Sequence, residues 1–98
     1  MGDDVSGAGT LKEGRITILN LDGFHARPCT AFVNMASRFK SEIWVRRDDV
    51  EVNAKSLLGV MMLAAETGAE LIVRAEGPDE AEAIEALTKL AEEKFGTE

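Results

Sequence analysis

Residues 42–53 read E-I-W-V-R-R-D-D-V-E-V-N, and this stretch decides the fold. Ile43 and Val45 recur with the period of two that marks a half-buried strand, and Asp48 and Asp49 turn the chain into a short partner strand, V-E-V-N. The pair reads as a β-hairpin. On both sides of it strands alternate with helices, and one hairpin among such units favours a single open sheet with all helices on one face.

Upstream, residues 26–39 carry Cys29, Phe32, Val33, Ala36 and Phe39 three or four positions apart, the spacing of an amphipathic helix, with Pro28 in its first turn where a missing amide costs little. Before it, R-I-T-I-L-N (15–20) places Ile16 and Ile18 on one side of a strand, and L-D-G turns the chain. Downstream, Ser56 opens S-L-L-G-V-M-M-L-A-A, a short helix ending near Gly68, weakened by Gly59. E-L-I-V-R-A-E (70–76) is a strand with Leu71, Val73 and Ala75 on one face. In G-P-D-E-A-E, Asp79 as N-cap and Glu82 three residues later form a capping box for a last helix that buries Ile84, Leu87 and Ala91. The order is β-α-β-β-α-β-α. Thr17, Trp44, Arg46, Arg74 and Glu76 are left for the outer face of the sheet, Trp44 being the apolar exception.

A chain of 98 residues closes one core and has no room for a second catalytic domain. Residues 1–11, rich in Gly, Asp and Ser, read as a disordered tail, and 12–98 as the domain. Apolar residues make up 45% and charged residues 30%, and no apolar run approaches the roughly 20 residues of a membrane span. The acidic start is unlike a secretory signal, so a cytoplasmic protein without membrane insertion is expected. The net charge of −7 argues against nonspecific attraction to nucleic acid or an anionic membrane. Yet between Gly23 and Arg47 the bases Arg27, Arg38, Lys40, Arg46 and Arg47 face only Glu42, a locally cationic region in an acidic chain.

That region holds the single histidine, in G-F-H-A-R-P at 23–28. His25 is either a capping or packing residue at a helix start, or a group held out for chemistry. Gly23 permits the tight path that aims a side chain at a helix end. The helix start offers unpaired amides and partial positive charge, and Arg27 adds a planar cation able to hold a phosphoryl oxygen through paired hydrogen bonds. All favour a negative group beside the imidazole. A phosphorus–nitrogen bond on that ring is readily attacked again, which suits a carrier. One histidine and one cysteine cannot build a structural zinc site, and no phosphate-binding G-x-x-x-x-G-K-S/T loop is present. Cys29 could touch His25 at i, i+4, but it lies on the apolar stripe and reads as a buried thiol.

N-A-K-S-L-L-G-V-M-M (53–62) is a second motif. Ser56 caps its helix in the plain reading. Leu57, Leu58 and Met61 cluster while Val60, Leu63 and Ala64 can serve the core, so the helix is either buried all round or offers one apolar face to a partner. A phosphate on Ser56 would set nearly two negative charges beside that face and penalise docking without changing the fold.

These residues resemble those of the HPr family, histidine-containing phosphocarriers of the bacterial phosphoenolpyruvate-dependent sugar phosphotransferase system. The matching stretches are G-F-H-A-R-P, V-N-A-K-S-L-L-G-V-M (52–61) and A-E-G-P-D-E-A-E-A-I-E-A-L (75–87), and the likeness runs from about Lys12 to Phe95. The resemblance implies an α+β open-faced β-sandwich, a four-stranded antiparallel sheet covered on one face by three helices. It implies that His25 accepts a phosphoryl group at Nδ1 from enzyme I, charged by phosphoenolpyruvate, and passes it to enzyme IIA components of sugar transport, with Arg27 supporting the phosphoryl group. Ser56 falls on the serine that an HPr kinase/phosphorylase modifies, and Thr30, Leu57, Leu58 and Met61 on partner-docking positions. The implied protein is a stoichiometric carrier and not an enzyme, a monomer that needs no cofactor and no metal and binds no nucleic acid. A sister branch that serves nitrogen-related regulation shares the histidine motif, and a small anion-binding regulatory module is the alternative from a different class. Cys29 departs from the alanine frequent in the family.

Overall fold

The computed structural model of the chain describes residues 11–97, so all of the expected tail but Leu11 lies outside the described residues. The elements are β1 (Lys12–Thr17), α1 (Ala26–Ala36), β2 (Glu42–Arg47), β3 (Val50–Asn53), α2 (Leu57–Met61), β4 (Glu70–Glu76) and α3 (Glu80–Glu92), followed by a 3-10 turn at Lys94–Gly96. The four strands pair antiparallel in the order β1-β4-β2-β3. Helices cover one face, and the core between the layers is built from Ile18, Phe32, Ile43, Val45, Val60, Leu71, Val73 and Leu87. This is the open-faced β-sandwich.

Several expected boundaries move, each for a local reason. The first strand begins at Lys12, ahead of Arg15, and ends at Thr17, where β4 runs out opposite it at Glu70. Its start shows no apolar inward residue because Gly14 sits beneath α3: a Cβ there would lie 2.7 Å from Ile84 Cγ2. Ile84 itself is only partly buried. α1 stops at Ala36, three residues before Phe39, as Arg38 and Phe39 switch to tighter bonds with the carbonyls of Met35 and Ala36. The helix expected to run from Ser56 toward Gly68 spans five residues, ending at Met61, after which Leu63 and Ala64 bond the carbonyls of Val60 and Met61 and Ala64 turns left-handed at φ 49°. That turn exposes Ala64, which the spacing offered to the core, and buries Ala65 in its stead.

The expected capping box does not form. Asp79 occupies the N-cap position of α3 but gives its side chain to the loop between α1 and β2, accepting from Lys40 N (2.9 Å), Ser41 N (2.9 Å) and Ser41 Oγ (2.6 Å). Gly77 explains the proximity, since a Cβ on it would lie 2.6 Å from Ser41 Cα. With two amides and a hydroxyl that close, they win the carboxylate over the helix's own amide. Glu82 is exposed, and Glu80 does the reaching back, accepting from Gly77 N at 3.0 Å and from Leu11 N at 3.1 Å.

On the outer face Trp44 has a partner. The Arg74 guanidinium lies 4.9 Å from its ring centroid and continues to Glu51 through Nε (2.9 Å) and Nη2 (3.0 Å).

Candidate functional site

Helix α1 begins on His25. Its backbone is extended (φ −97°, ψ −165°), its carbonyl accepts the first helical bond from Cys29 N at 3.0 Å, and its side chain makes no capping bond. The imidazole is exposed and forms no hydrogen bond among the described residues, so it neither packs nor caps. Pro28 is buried and has no N–H to give, which leaves the Ala26 and Arg27 amides as the unpaired donors of the first turn. The Arg27 guanidinium is exposed and without an acid partner among the described residues. Thr30 is exposed too and turns its hydroxyl back onto Ala26 O at 2.8 Å. A ring, two amides and a guanidinium thus come from three successive residues at the positive end of one helix, a setting that receives an anion.

What fixes that end of α1 is the loop before it. Gly23 has φ +74°, and a Cβ would lie 3.1 Å from Ala65 O and 3.2 Å from Glu66 Cα, so any other residue there would strain the loop's closure onto the segment after α2. Phe24 N donates to Ala65 O at 2.8 Å, and Thr67 Oγ1 donates to the carbonyls of Asn20 (2.7 Å) and Leu21 (2.9 Å). Buried Asn20 closes the turn from within, its Nδ2 donating to Gly23 O. The receiving segment is clamped in turn by Arg47, which donates to Leu63 O (3.0 Å), Ala64 O (2.7 Å) and Glu66 Oε1 (2.8 Å). Asn20 and Thr67 were missed in the sequence, and Arg47 was read only as one base of the cationic region, not as this clamp. Asn20 alone carried a signal, an amide side chain at the mouth of the L-D-G turn.

Cys29 lies below the site and does not reach for the ring. Its Sγ donates to Phe24 O at 3.3 Å, and burial pushes the thiol up to about 11, which keeps it protonated and unreactive.

Ser56 caps α2, its Oγ accepting from Gly59 N at 3.1 Å. Gly59 is where α2 meets the hairpin, since a Cβ there would lie 3.3 Å from Val52 Cβ. With Val60 and Leu63 turned inward, Leu57, Leu58 and Met61 remain exposed. Met62, not assigned from the sequence, enlarges the patch: it is 70% exposed and follows Leu58, 75% exposed, by one helical turn.

A small open-faced sandwich that offers one bare imidazole at a helix start, beside an apolar helix face, defines a class of histidine-presenting protein modules. The comparisons with known proteins narrow it. The family described as "PTS HPr component phosphorylation site" matches residues 12–93. Phosphocarrier protein HPr of Neisseria meningitidis serogroup A is 49% identical over 81 residues, covering 83% of this chain and 91% of its own. That of Treponema pallidum is 48% identical over 83 residues, covering 85% and 94%. A crystal structure of HPr from Thermoanaerobacter tengcongensis superimposes with a TM-score of 0.84 at 52% identity, covering 89% of this chain and 98% of its own. The chain belongs to the HPr family, the phosphocarriers of the phosphotransferase system.

Proposed function

We propose that His25 is the phosphoryl acceptor, loaded by enzyme I at the expense of phosphoenolpyruvate and discharged to an enzyme IIA domain of sugar transport. The observation that carries this reading is that the His25 imidazole is exposed and unbonded at the start of α1, while the loop that delivers it is held by bonds at Asn20, Leu21, Gly23 and Phe24. In the loading step the lone pair of Nδ1 attacks the phosphorus of the charged donor. The phosphorus–nitrogen bond forms as the bond to the donor breaks, and the donor leaves with its electron pair. The Ala26 and Arg27 amides and the Arg27 guanidinium hold the phosphoryl oxygens, and the same groups release them when the acceptor attacks. The chain is regenerated only by passing the group on, so it acts as a stoichiometric carrier. Among the described residues no helix is long and apolar enough to cross a membrane, and we place the exchange in the cytoplasm.

Incubation with enzyme I and phosphoenolpyruvate tests this reading. The chain should gain an acid-labile, base-stable phosphate that His25→Ala abolishes without loss of fold. A variant that still accepts the group, or that unfolds because the ring had been holding the structure, overturns the assignment.

Regulation at Ser56 is supported by a separate observation: its cap hydroxyl opens the helix that bears the apolar patch. A kinase-borne phosphate there stays compatible with the helix start and opposes docking of the patch. The K-S-L-L-G segment favours the sugar branch over the nitrogen-regulatory one. Modification of Ser56 by ATP in a lysate of the source organism, lost in Ser56→Ala, is the expected result; no labelling of the serine would remove the regulatory reading.

A further inference from the structure

After α3 the chain makes a hook that no role above accounts for. Lys94, Phe95 and Gly96 are left-handed in succession (φ 56°, 57° and 72°), a conformation that side chains other than glycine disfavour. The hook is held by Gly96 N on Glu93 O and Thr97 N on Lys94 O, both 3.0 Å, and by Thr97 Oγ1 on Lys94 O at 2.7 Å. Its effect is to drive the Phe95 ring back under the start of α1, where it is 3% exposed. There it lies 5.2 Å from the ring of Phe24 and 6.5 Å from that of Phe32, and those two meet edge to face at 5.7 Å.

Phe24 immediately precedes His25. Its peptide is fixed by Ala65 O and Cys29 Sγ, and its ring packs against both Phe32 and Phe95, the three rings forming a compact triangle. Phe95, Gly96 and Thr97 also form one wall of an open cleft of about 410 Å³ whose other wall is Ala26, Arg27 and Thr30. The hook therefore touches the supports of both the imidazole and the guanidinium. Strained backbone that persists where it braces a reacting group is a reason to look for a role in the reaction.

We propose that Phe95 is a positioning residue for phosphoryl transfer: a wedge that sets the His25 ring through Phe24 and borders the space into which Arg27 reaches. The proposal rests on the reading of His25 as acceptor. The test uses the full chain as substrate of enzyme I with phosphoenolpyruvate, comparing wild type with Phe95→Ala and Phe95→Leu. Phe95→Ala should lower kcat about tenfold with KM changed less than about twofold, the split expected of a misplaced reacting group and not of weaker docking. Phe95→Leu, which keeps more of the volume than alanine but lacks the aromatic edge, should fall between. In proton–carbon NMR of the unphosphorylated proteins, the His25 ring signals should shift in Phe95→Ala and move back toward wild type in Phe95→Leu.

Unchanged kcat and unchanged His25 signals in a folded Phe95→Ala, even with a lowered Tm, would make the hook a mere plug and overturn the proposal. If Phe95→Ala does not fold, Phe95→Leu decides by the same two readouts. If wild type takes up no phosphate, it is the acceptor reading that fails, and the NMR comparison still judges the wedge.

Discussion

Asp79 holds its carboxylate against a hydroxyl and two backbone amides, and that arrangement ties stability to pH. The Ser41 hydroxyl first, then the Lys40 and Ser41 amides, stabilise the charged form and bring the group from its ordinary 3.8 down to about 2. A folded value below the unfolded one means that the stabilisation is complete above about pH 4 and is lost as pH falls from there through about 2. Urea unfolding at pH 5, 4, 3 and 2.5 should show a decline that Asp79→Asn flattens within that window; an equal slope in both proteins would show that other carboxylates carry the acid sensitivity. Gly23 makes a second residue-level case. Gly23→Ala places a methyl group against Ala65 O on a left-handed backbone and should destabilise by about 1–3 kcal/mol. Denaturant titration checks this, and a loss below about 0.5 kcal/mol would mean that the loop relaxes freely, as surface positions do.

Helix α2 carries a structural cap and, as proposed, a regulatory site, and substitution separates the two. Ser56→Ala removes the acceptor for Gly59 N and should cost about 1 kcal/mol of stability. Ser56→Asp keeps a capping oxygen and so should keep the fold while raising KM with enzyme I; unchanged kinetics would count against control from this helix. Elements of this kind were legible in the sequence because apolar spacing is local: Ile43 and Val45, Phe32 and Ala36, Leu71 and Val73 each announce a face by their own periodicity. Their ends were less legible because ends are decided by neighbours distant in sequence. β1 stops where β4 has no more residues to offer, and Asp79 abandons its own helix for a loop 38 residues away. The candidate site divides in the same way. His25, Arg27 and Ser56 stand in contiguous motifs, whereas Asn20, Arg47, Thr67 and Phe95 act through backbone atoms or rings that only folding brings near. Gly14 was silent for a further reason: its task is to have no side chain beneath Ile84.

The whole molecule separates stability from function by position. The core lies between sheet and helices, and the proposed acceptor His25 and the proposed docking patch lie on the exposed start of α1 and the exposed face of α2. Leu58→Ser combined with Met62→Ser should therefore leave unfolding free energy within about 0.5 kcal/mol while raising KM for enzyme I about tenfold, since exposed positions contribute little to folding but can anchor an interface. A large loss of stability with unchanged KM would place the patch in the core's service. The central claim is that His25 Nδ1 carries the phosphoryl group, and nitrogen-15 NMR of the labelled full chain with enzyme I and phosphoenolpyruvate tests it most directly. A phosphorus coupling should appear on Nδ1 of His25 and vanish on addition of an enzyme IIA acceptor. A phosphate that appears on Nε2, on another residue or not at all would contradict it.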